Sequence, residues 1–407
     1  MAEKEGTGTS VVLKEGGLLP QEEMLEIGKT KKKLFIGIPK ENHKIENRVA
    51  LTPEAVEVLA QEGHTILVES GCGKQASYSD MDYSEFGAKI TNVRKEIFQS
   101  DIVLKVAPMS YEEISYLKGH QLIISSLHYN DKLSGYINKL VDKKVTAIAF
   151  ENLKGDEDFY PIDRSMAEIS GSSSIFIAAE YLSNVHKGKG VFLGGITGIT
   201  PTEVVILGAG TAGEYAARAA LGVGANVKVF DDSIIKLRRI QNNLGQRVFT
   251  SVFHKKVLEK VLISADVVIG TLNYKDQRNQ FIISESMIKK MKEGAMIIDI
   301  NIDKGGAFET SECRTHENPV YKRHGVLHYC IPNIPSRFAR TASIALSNVF
   351  VPLLINIGEF GQLKNLLKED LGVRHSVYIY NGMLTNYHIG EILGIPSKEI
   401  ELLMAAF

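Results

Sequence analysis

Cysteine is scarce: Cys72, Cys313 and Cys330 are the only three in 407 residues. Widely spaced and odd in number, they exclude a disulfide framework, and without a Cys-x-x-Cys pair they offer no metal site. An excess of one charge is also lacking. With 47 Lys and Arg against 48 Asp and Glu the net charge is −1, which leaves no electrostatic footprint for nucleic acid or an anionic membrane surface. The one long apolar stretch, Ile344 to Ile357, is interrupted by Asn348, Pro352 and Asn356. It is too short and too polar to span a bilayer and reads as a buried helix. The N-terminus has no apolar signal core, and residues 1–33 read as a polar, flexible extension. Within it Leu18 to Leu25 forms either a short helix against a neighbouring subunit or a frayed tail, and Lys29 to Lys33 is a solvated linker. These absences point to the cytoplasm.

Length exceeds what one hydrophobic core organises, so two domains are expected. The most informative stretch is Val204-Val205-Ile206-Leu207 running into Gly208-Ala209-Gly210-Thr211-Ala212-Gly213. Four apolar residues feed a Gly-x-Gly-x-x-Gly turn that opens into a helical pattern, which is how a chain holds a dinucleotide. Gly208 permits the tight turn, Gly210 lets backbone approach a pyrophosphate, and Gly213 lets helix pack on strand. The phosphates sit on the free N–H groups of the helix N-terminus. A second strand, Val227 to Phe230, ends in Asp231-Asp232. A carboxylate there suits the adenosine ribose hydroxyls and repels a 2′-phosphate, so NAD is favoured over NADP, with Lys236 softening the discrimination.

Before that turn, strand-like runs (Leu34 to Pro39, Thr65 to Glu69, Asp101 to Val106, Gln121 to Leu127, Val145 to Phe150) alternate with helical patterns. Thr52-Pro53 opens one helix with an N-cap and a first-turn proline. Later strands are expected at Ala265 to Gly270, Ala295 to Ile300 and Val326 to Cys330. Alternation of this kind predicts an α/β protein of two doubly wound, Rossmann-like domains with parallel sheets and a cleft between them. The expected boundaries are residues 34–164 plus 341–407 for the substrate domain and 165–340 for the NAD-binding domain. The tail beyond about 340 reads as helical.

Several pieces in this order resemble the alanine dehydrogenase family, which is related to the NAD-binding subunit of proton-pumping transhydrogenase. They are Ile36-Gly37-Ile38-Pro39-Lys40-Glu41, Arg48-Val49-Ala50-Leu51-Thr52-Pro53, Gly190 to Gly195, the glycine turn, Asp299 to Gly306, and Tyr329-Cys330-Ile331-Pro332-Asn333-Ile334-Pro335. The resemblance implies a homo-oligomer, often a hexamer, that oxidises L-alanine to pyruvate and ammonia with NAD. His128, at the end of an apolar strand, aligns with the family's catalytic histidine and titrates in the range a proton shuttle needs. Transhydrogenase relatives generally lack it. Asp303 matches the catalytic aspartate, placed to orient water and stabilise a developing iminium; Asp299 is the better candidate for capping the turn. Arg48 matches the arginine that forks onto the substrate carboxylate, and Met166 the methionine contacting nicotinamide and substrate. Leu272 and Asn333 join the glycine turn and Asp231 as expected cofactor contacts.

The chain also departs from the family. Where the family has Lys-Val-Lys-Glu-Pro, it reads Lys105-Val106-Ala107-Pro108, so the substrate-binding lysine is missing. Lys105, on the same strand face as position 107, or Arg337 is the expected replacement. Ser126 replaces an aromatic, Ala167 a serine, and Asn273 to Gln280 a different loop. The smaller Ser126 enlarges the pocket, which hints at an amino acid other than alanine. Two rival readings stay open: an opine- or saccharopine-type dehydrogenase joining an amino acid to a 2-oxo acid, and a non-catalytic NAD-binding subunit.

Overall fold

The structure, a computed structural model, describes residues 31–127, 133–155, 159–272 and 282–406. Six strands near the start run parallel to one another: β1 (Phe35–Ile38), β2 (Thr65–Glu69), β3 (Lys89–Thr91), β4 (Ile102–Leu104), β5 (Leu122–Ser125) and β6 (Thr146–Ala149). A second set follows: β7 (Glu203–Leu207), β8 (Asn226–Phe230), β9 (Phe249–Ser251), β10 (Val267–Gly270), β11 (Met296–Asp299), β12 (Val320–Arg323) and β13 (Val326–Tyr329). All of these are parallel except β12, which runs antiparallel to β13 at the edge. Central strands such as β6, β10 and β11 are buried at every residue and, Thr146 and Asp299 apart, carry no polar side chain. That is the pattern of a parallel sheet covered by helices on both faces. The two doubly wound sheets expected from the alternation are present.

The tail departs from the helical expectation. After the long helix Ala339–Glu359 the chain adds β14 (Val377–Tyr380) and β15 (Met383–Leu384), antiparallel, to the edge of the first sheet beside β6. The first sheet therefore reads β15-β14-β6-β5-β4-β1-β2-β3 and the second β12-β13-β11-β10-β7-β8-β9. In each, strand order reverses at a central strand: β1 lies between β4 and β2, β7 between β10 and β8. The carboxyl ends at such reversals are where open α/β sheets bind ligands.

Two long helices join the sheets. Pro161–Leu182, with proline in its first turn, packs on the helix Thr211–Gly222 that follows the glycine turn. The approach is close enough that a Cβ on Gly171 would lie 2.2 Å from the Ala212 carbonyl oxygen. Ala339–Glu359 buries Leu346, Phe350, Leu353, Leu354 and Ile357 in the core of the first sheet. Among the described residues, Ile334–Glu359 is the one helical stretch long and apolar enough to cross a membrane, and half of it is buried inside the protein. The helix opened by Thr52 runs Pro53–Gln61, with the Thr52 side chain accepting the Ala55 N–H at 3.4 Å.

Candidate active site

The glycine turn is shaped by what its carbons would strike. Gly208 has φ +114°, and a Cβ there would sit 2.5 Å from Thr271 Oγ1. A Cβ on Gly213 would sit 1.9 Å from the Gly208 carbonyl oxygen, whereas nothing lies within 4 Å of one on Gly210. The first and third glycines are thus required by the fold, and the second leaves space where backbone faces the cleft. Thr211, Ala212 and Gly213 form the first turn of a helix whose leading N–H groups lack intrahelical partners. Thr271 Oγ1 donates to the Leu207 carbonyl at 3.0 Å, and Asn301 Nδ2 donates to the Thr271 and Leu272 carbonyls at 3.1 Å each. The ends of β7, β10 and β11 are thereby tied together, with half-buried Leu272 at their rim.

Asp231 is buried at the end of β8. Its Oδ2 accepts the Ala209 N–H at 2.7 Å and its Oδ1 the Ser233 N–H at 2.8 Å. The carboxylate holds the turn and fixes Ser233, the N-cap residue of the next helix. Arg239, which the motif does not include, donates to the Ala209 carbonyl at 3.0 Å. Lys236 is exposed on the same helix, its N–H bonded to Ser233 Oγ at 3.3 Å.

Across the cleft, Arg48 is largely shielded, with its side chain 11% exposed, and already half engaged. Its Nε and Nη2 donate to the Glu46 carboxylate at 2.8 and 2.6 Å, and Nη1 lies 3.1 Å from Met166 Sδ. Burial pulls the guanidinium down, but Glu46's charge and hydrogen bonds outweigh it and hold Arg48 above its ordinary value. Glu46, reciprocally, is held below the usual carboxylate range in spite of burial. Asn333 Nδ2, from the second sheet's final loop, donates to Glu46 Oε2 at 2.8 Å, and the Asn47 N–H donates to Ser336 Oγ at 2.8 Å. His316 Nε2 lies 3.1 Å from the Asn333 carbonyl oxygen and feels the charges of both Arg48 and Arg337. The arginine loop and the cofactor-side loops thus meet in one buried knot.

Lys105 and Glu41 form a buried ion pair, and the Glu41 carboxylate also accepts the Val106 and Ala107 N–H groups at 2.6 and 3.2 Å. Burial raises Glu41 in spite of the lysine. Arg337 bonds Glu180 on the long helix and lies over the Tyr329 ring. Each candidate for the missing lysine's role therefore has a carboxylate partner. Ser126 Oγ donates to the Val106 carbonyl at 2.8 Å, which joins the ends of β4 and β5. A cavity of about 260 Å³ opens beside Glu41, Glu46 and Asn47.

His128 and the loop 273–280 lie outside the described residues. Leu127, directly before His128, donates its N–H to Glu151 Oε1 at 2.8 Å, and Glu151 in turn feels the charge of Lys304 beside Asp303. The neighbourhoods of the two catalytic candidates therefore converge on one carboxyl at the end of β6. Asp303 is exposed in the turn Ile302–Lys304 after β11.

Asp299 is buried, its Oδ2 accepting the Ala307 N–H at 3.1 Å and Ser311 Oγ–H at 2.7 Å, which fastens the turn that carries Asp303. Burial, opposed by those bonds and reinforced by Asp303, pushes Asp299 up to about 6. A carboxyl raised above its unfolded value stabilises the fold fully below the unfolded pKa and loses that contribution as pH rises through the folded one. Between about pH 4, where the unfolded aspartate ionises, and about pH 6, where the buried one does, roughly 3 kcal/mol of stability is lost, at 1.36 kcal/mol per unit. Asp299→Asn should remove that slope. Thermal melts across this range should show the variant gaining on the native protein as pH rises, and parallel curves would contradict it.

Sequence reasoning missed Glu46, Arg239, Asn301, His316 and Glu151. Of these only Glu46 carried a local signal, a carboxylate two residues before the candidate Arg48.

Comparison with known proteins places the geometry. Residues 37–170 match the family described as alanine dehydrogenase/PNT, N-terminal domain, and residues 174–387 its C-terminal domain. The chain is 36% identical over 371 residues to an alanine dehydrogenase of Staphylococcus saprophyticus, covering 90% of this chain and 99% of that one. It is 35% identical over 369 residues to alanine dehydrogenase 2 of Staphylococcus aureus, covering 90% and 98%. Among solved structures an L-alanine dehydrogenase superposes with a TM-score of 0.82 at 30% identity, covering 88% of this chain and 99% of that one. A transhydrogenase of Sinorhizobium meliloti shares the fold, with a TM-score of 0.73 at 22% identity over 87% and 99%.

Proposed function

The chain belongs to the alanine dehydrogenase/PNT family and is an amino-acid dehydrogenase, and from that premise we propose that it oxidatively deaminates a small L-amino acid, L-alanine foremost, with NAD. The observation that carries this reading is the juxtaposition of the two halves: the Arg48–Glu46 pair on one side of the cleft is held by Asn333 from the other. The residues at the glycine turn fit a dinucleotide, since open space beside Gly210 and an unpartnered helix N-terminus suit a pyrophosphate. Gly208 to Gly213, Asp231, Leu272 and Asn333 would hold it, with Lys236 at the adenosine end. When bound, NAD supplies the hydride acceptor.

The chain's own residues do the rest. Glu46 occupies the Nε–Nη2 edge of Arg48, which leaves the Nη1–Nη2 edge, beside Met166, for the substrate carboxylate. Held charged by Glu46, Arg48 is preorganised for an anion. His128 takes a proton from the amine or the attacking water and returns one to leaving ammonia. Asp303 stabilises positive charge that develops at Cα only during reaction. The role of the family's missing lysine falls to Lys105 or Arg337, and each must share its charge with Glu41 or Glu180. Reduction of pyruvate separates this reading from an opine-type reaction. Consumption of NADH should require free ammonium, and a second amino acid replacing ammonium would overturn it.

Self-association belongs to the same reading, as does a cytoplasmic setting for the three free thiols. Phe176, Val185, Phe192, Ile196 and Ile199 are each more than half exposed within one stretch of chain after the middle of the long helix. Such apolar exposure marks an interaction surface, and we assign it to further copies of this chain, a hexamer by family resemblance. Light scattering should report an oligomer that Phe192→Glu weakens. A native monomer would contradict the assignment.

A further inference from the structure

In addition to Tyr78 Oη, three side-chain oxygens in the first domain are buried without a well-formed hydrogen bond: Glu151 Oε2, Tyr136 Oη and Tyr378 Oη. These three are neighbours. Tyr378, on β14, feels the charge of Glu151 and has its hydroxyl within reach of Tyr136, and Tyr136, on the helix Leu133–Asp142, is within reach of Ser125 and feels the charge of Lys105. Buried polar atoms of this kind are ordinarily satisfied through ordered water, and a group of three sharing one region suits a bridged chain. At the other end of the group, Glu151 feels Lys304 from the turn after β11 of the second sheet. Its other oxygen, Oε1, accepts the Leu127 N–H at 2.8 Å at the end of β5, one residue before His128.

We propose that Glu151 is a positioning residue of the reaction, whose Oε1 fixes the end of β5 while its Oε2 takes up and returns a proton, exchanging it inward along Tyr378 and Tyr136. This rests on the dehydrogenase reading above. Oxidative deamination releases one proton per turnover. As a carboxylate, Glu151 accepts that proton and becomes a neutral acid. It then gives it to Tyr378, each hydroxyl releasing its own proton as it takes one, and the Glu41 carboxylate, paired with the Lys105 whose charge Tyr136 feels, receives the last proton at the cavity it lines, so Glu151 returns to the carboxylate and no other reactant is consumed. The groups facing it are the Leu127 N–H from the end of β5, Asp163 from the long helix, Lys304 from the turn after β11 and Tyr378 from β14. Burial is the largest influence on the carboxyl, Asp163 adds to it, and the Leu127 N–H and Lys304 oppose it. Together they push it up to about 7, where both forms are populated at neutral pH.

The test uses the intact enzyme without substrate. Infrared difference spectra across neutral pH should show a protonated-carboxyl band that disappears with a midpoint at about 7 and that Glu151→Gln removes. The glutamine keeps an oxygen for the Leu127 N–H, so NADH affinity should stay within about twofold while kcat falls by about tenfold and the kcat/KM profile loses one ionisation near neutrality. Tyr378→Phe, which leaves the carboxyl in place, should shift the midpoint of the band. A band unchanged in Glu151→Gln, a native pH profile in that variant, or a midpoint indifferent to Tyr378→Phe overturns the proposal. Because the band is read without substrate, it stands or falls independently of which amino acid is oxidised.

Discussion

Gly213→Val should abolish NADH binding and destabilise the second domain, whereas Gly210→Ala should leave the fold intact and lower affinity alone. The two glycines lie three residues apart in one motif, but their surroundings are opposite. At 213 a Cβ would meet the Gly208 carbonyl oxygen at 1.9 Å and Thr271 Oγ1 at 3.1 Å. The first of these is backbone at the end of the central strand β7, so relief requires moving the turn itself. Overpacking of this kind costs typically 1–3 kcal/mol, and a clash with backbone about 3 kcal/mol or more. At 210 the φ is −73° and nothing lies within 4 Å of a Cβ, so alanine is accommodated by the protein and meets only the ligand. NADH fluorescence titration with a thermal melt on each variant checks both halves. A Gly210→Ala variant that binds NADH like the native enzyme would show that no ligand approaches that backbone.

His128→Ala and Asp303→Asn should each lower kcat for deamination by about 10²–10⁴-fold, with NADH affinity changed by no more than about twofold. The two act on different charges. The imidazole moves protons at the amine and the water, and the carboxylate offsets the positive charge at Cα. Asparagine at 303 retains size and hydrogen bonding but not charge, so its loss isolates the electrostatic contribution. Neither residue lies in the glycine turn, and Asp299, which fastens the Asp303 turn through Ala307 and Ser311, is untouched by either substitution. Steady-state kinetics with stopped-flow NADH binding measures both quantities. A His128→Ala variant that retains turnover removes the histidine from the mechanism.

The sequence was most legible where local pattern determines structure. Apolar runs of four or five residues located the central strands because such strands are buried on both faces. β3, only Lys89–Thr91 at a sheet edge, carries too little apolar signal to register. β14 and β15 were hidden because the apolar pattern of Ala339–Glu359 before them made the tail read as helical throughout, whereas Val377–Tyr380 finds its partner in β6 far upstream. In the candidate site, Arg48 and Met166 were chosen from separate segments and lie 3.1 Å apart. What stayed illegible is the set of partners. Asn333 reaches Glu46 across 287 residues of chain, and Glu151 reaches Leu127 across 24. Asp231 illustrates the limit well: its position after β8 was readable, but its bonds to Ala209 and Ser233 depend on how the turn folds back over the strand end.

The central claim is that this chain oxidises L-alanine although Ala107 stands where the family's substrate lysine is found. The direct measurement is NADH absorbance at alkaline pH with NAD and L-alanine, run beside a panel of other L-amino acids. Turnover with alanine is the predicted result and would show that another cation serves the lysine's role. Silence with L-alanine, from protein that binds NADH, would contradict it, whether or not another amino acid in the panel is turned over.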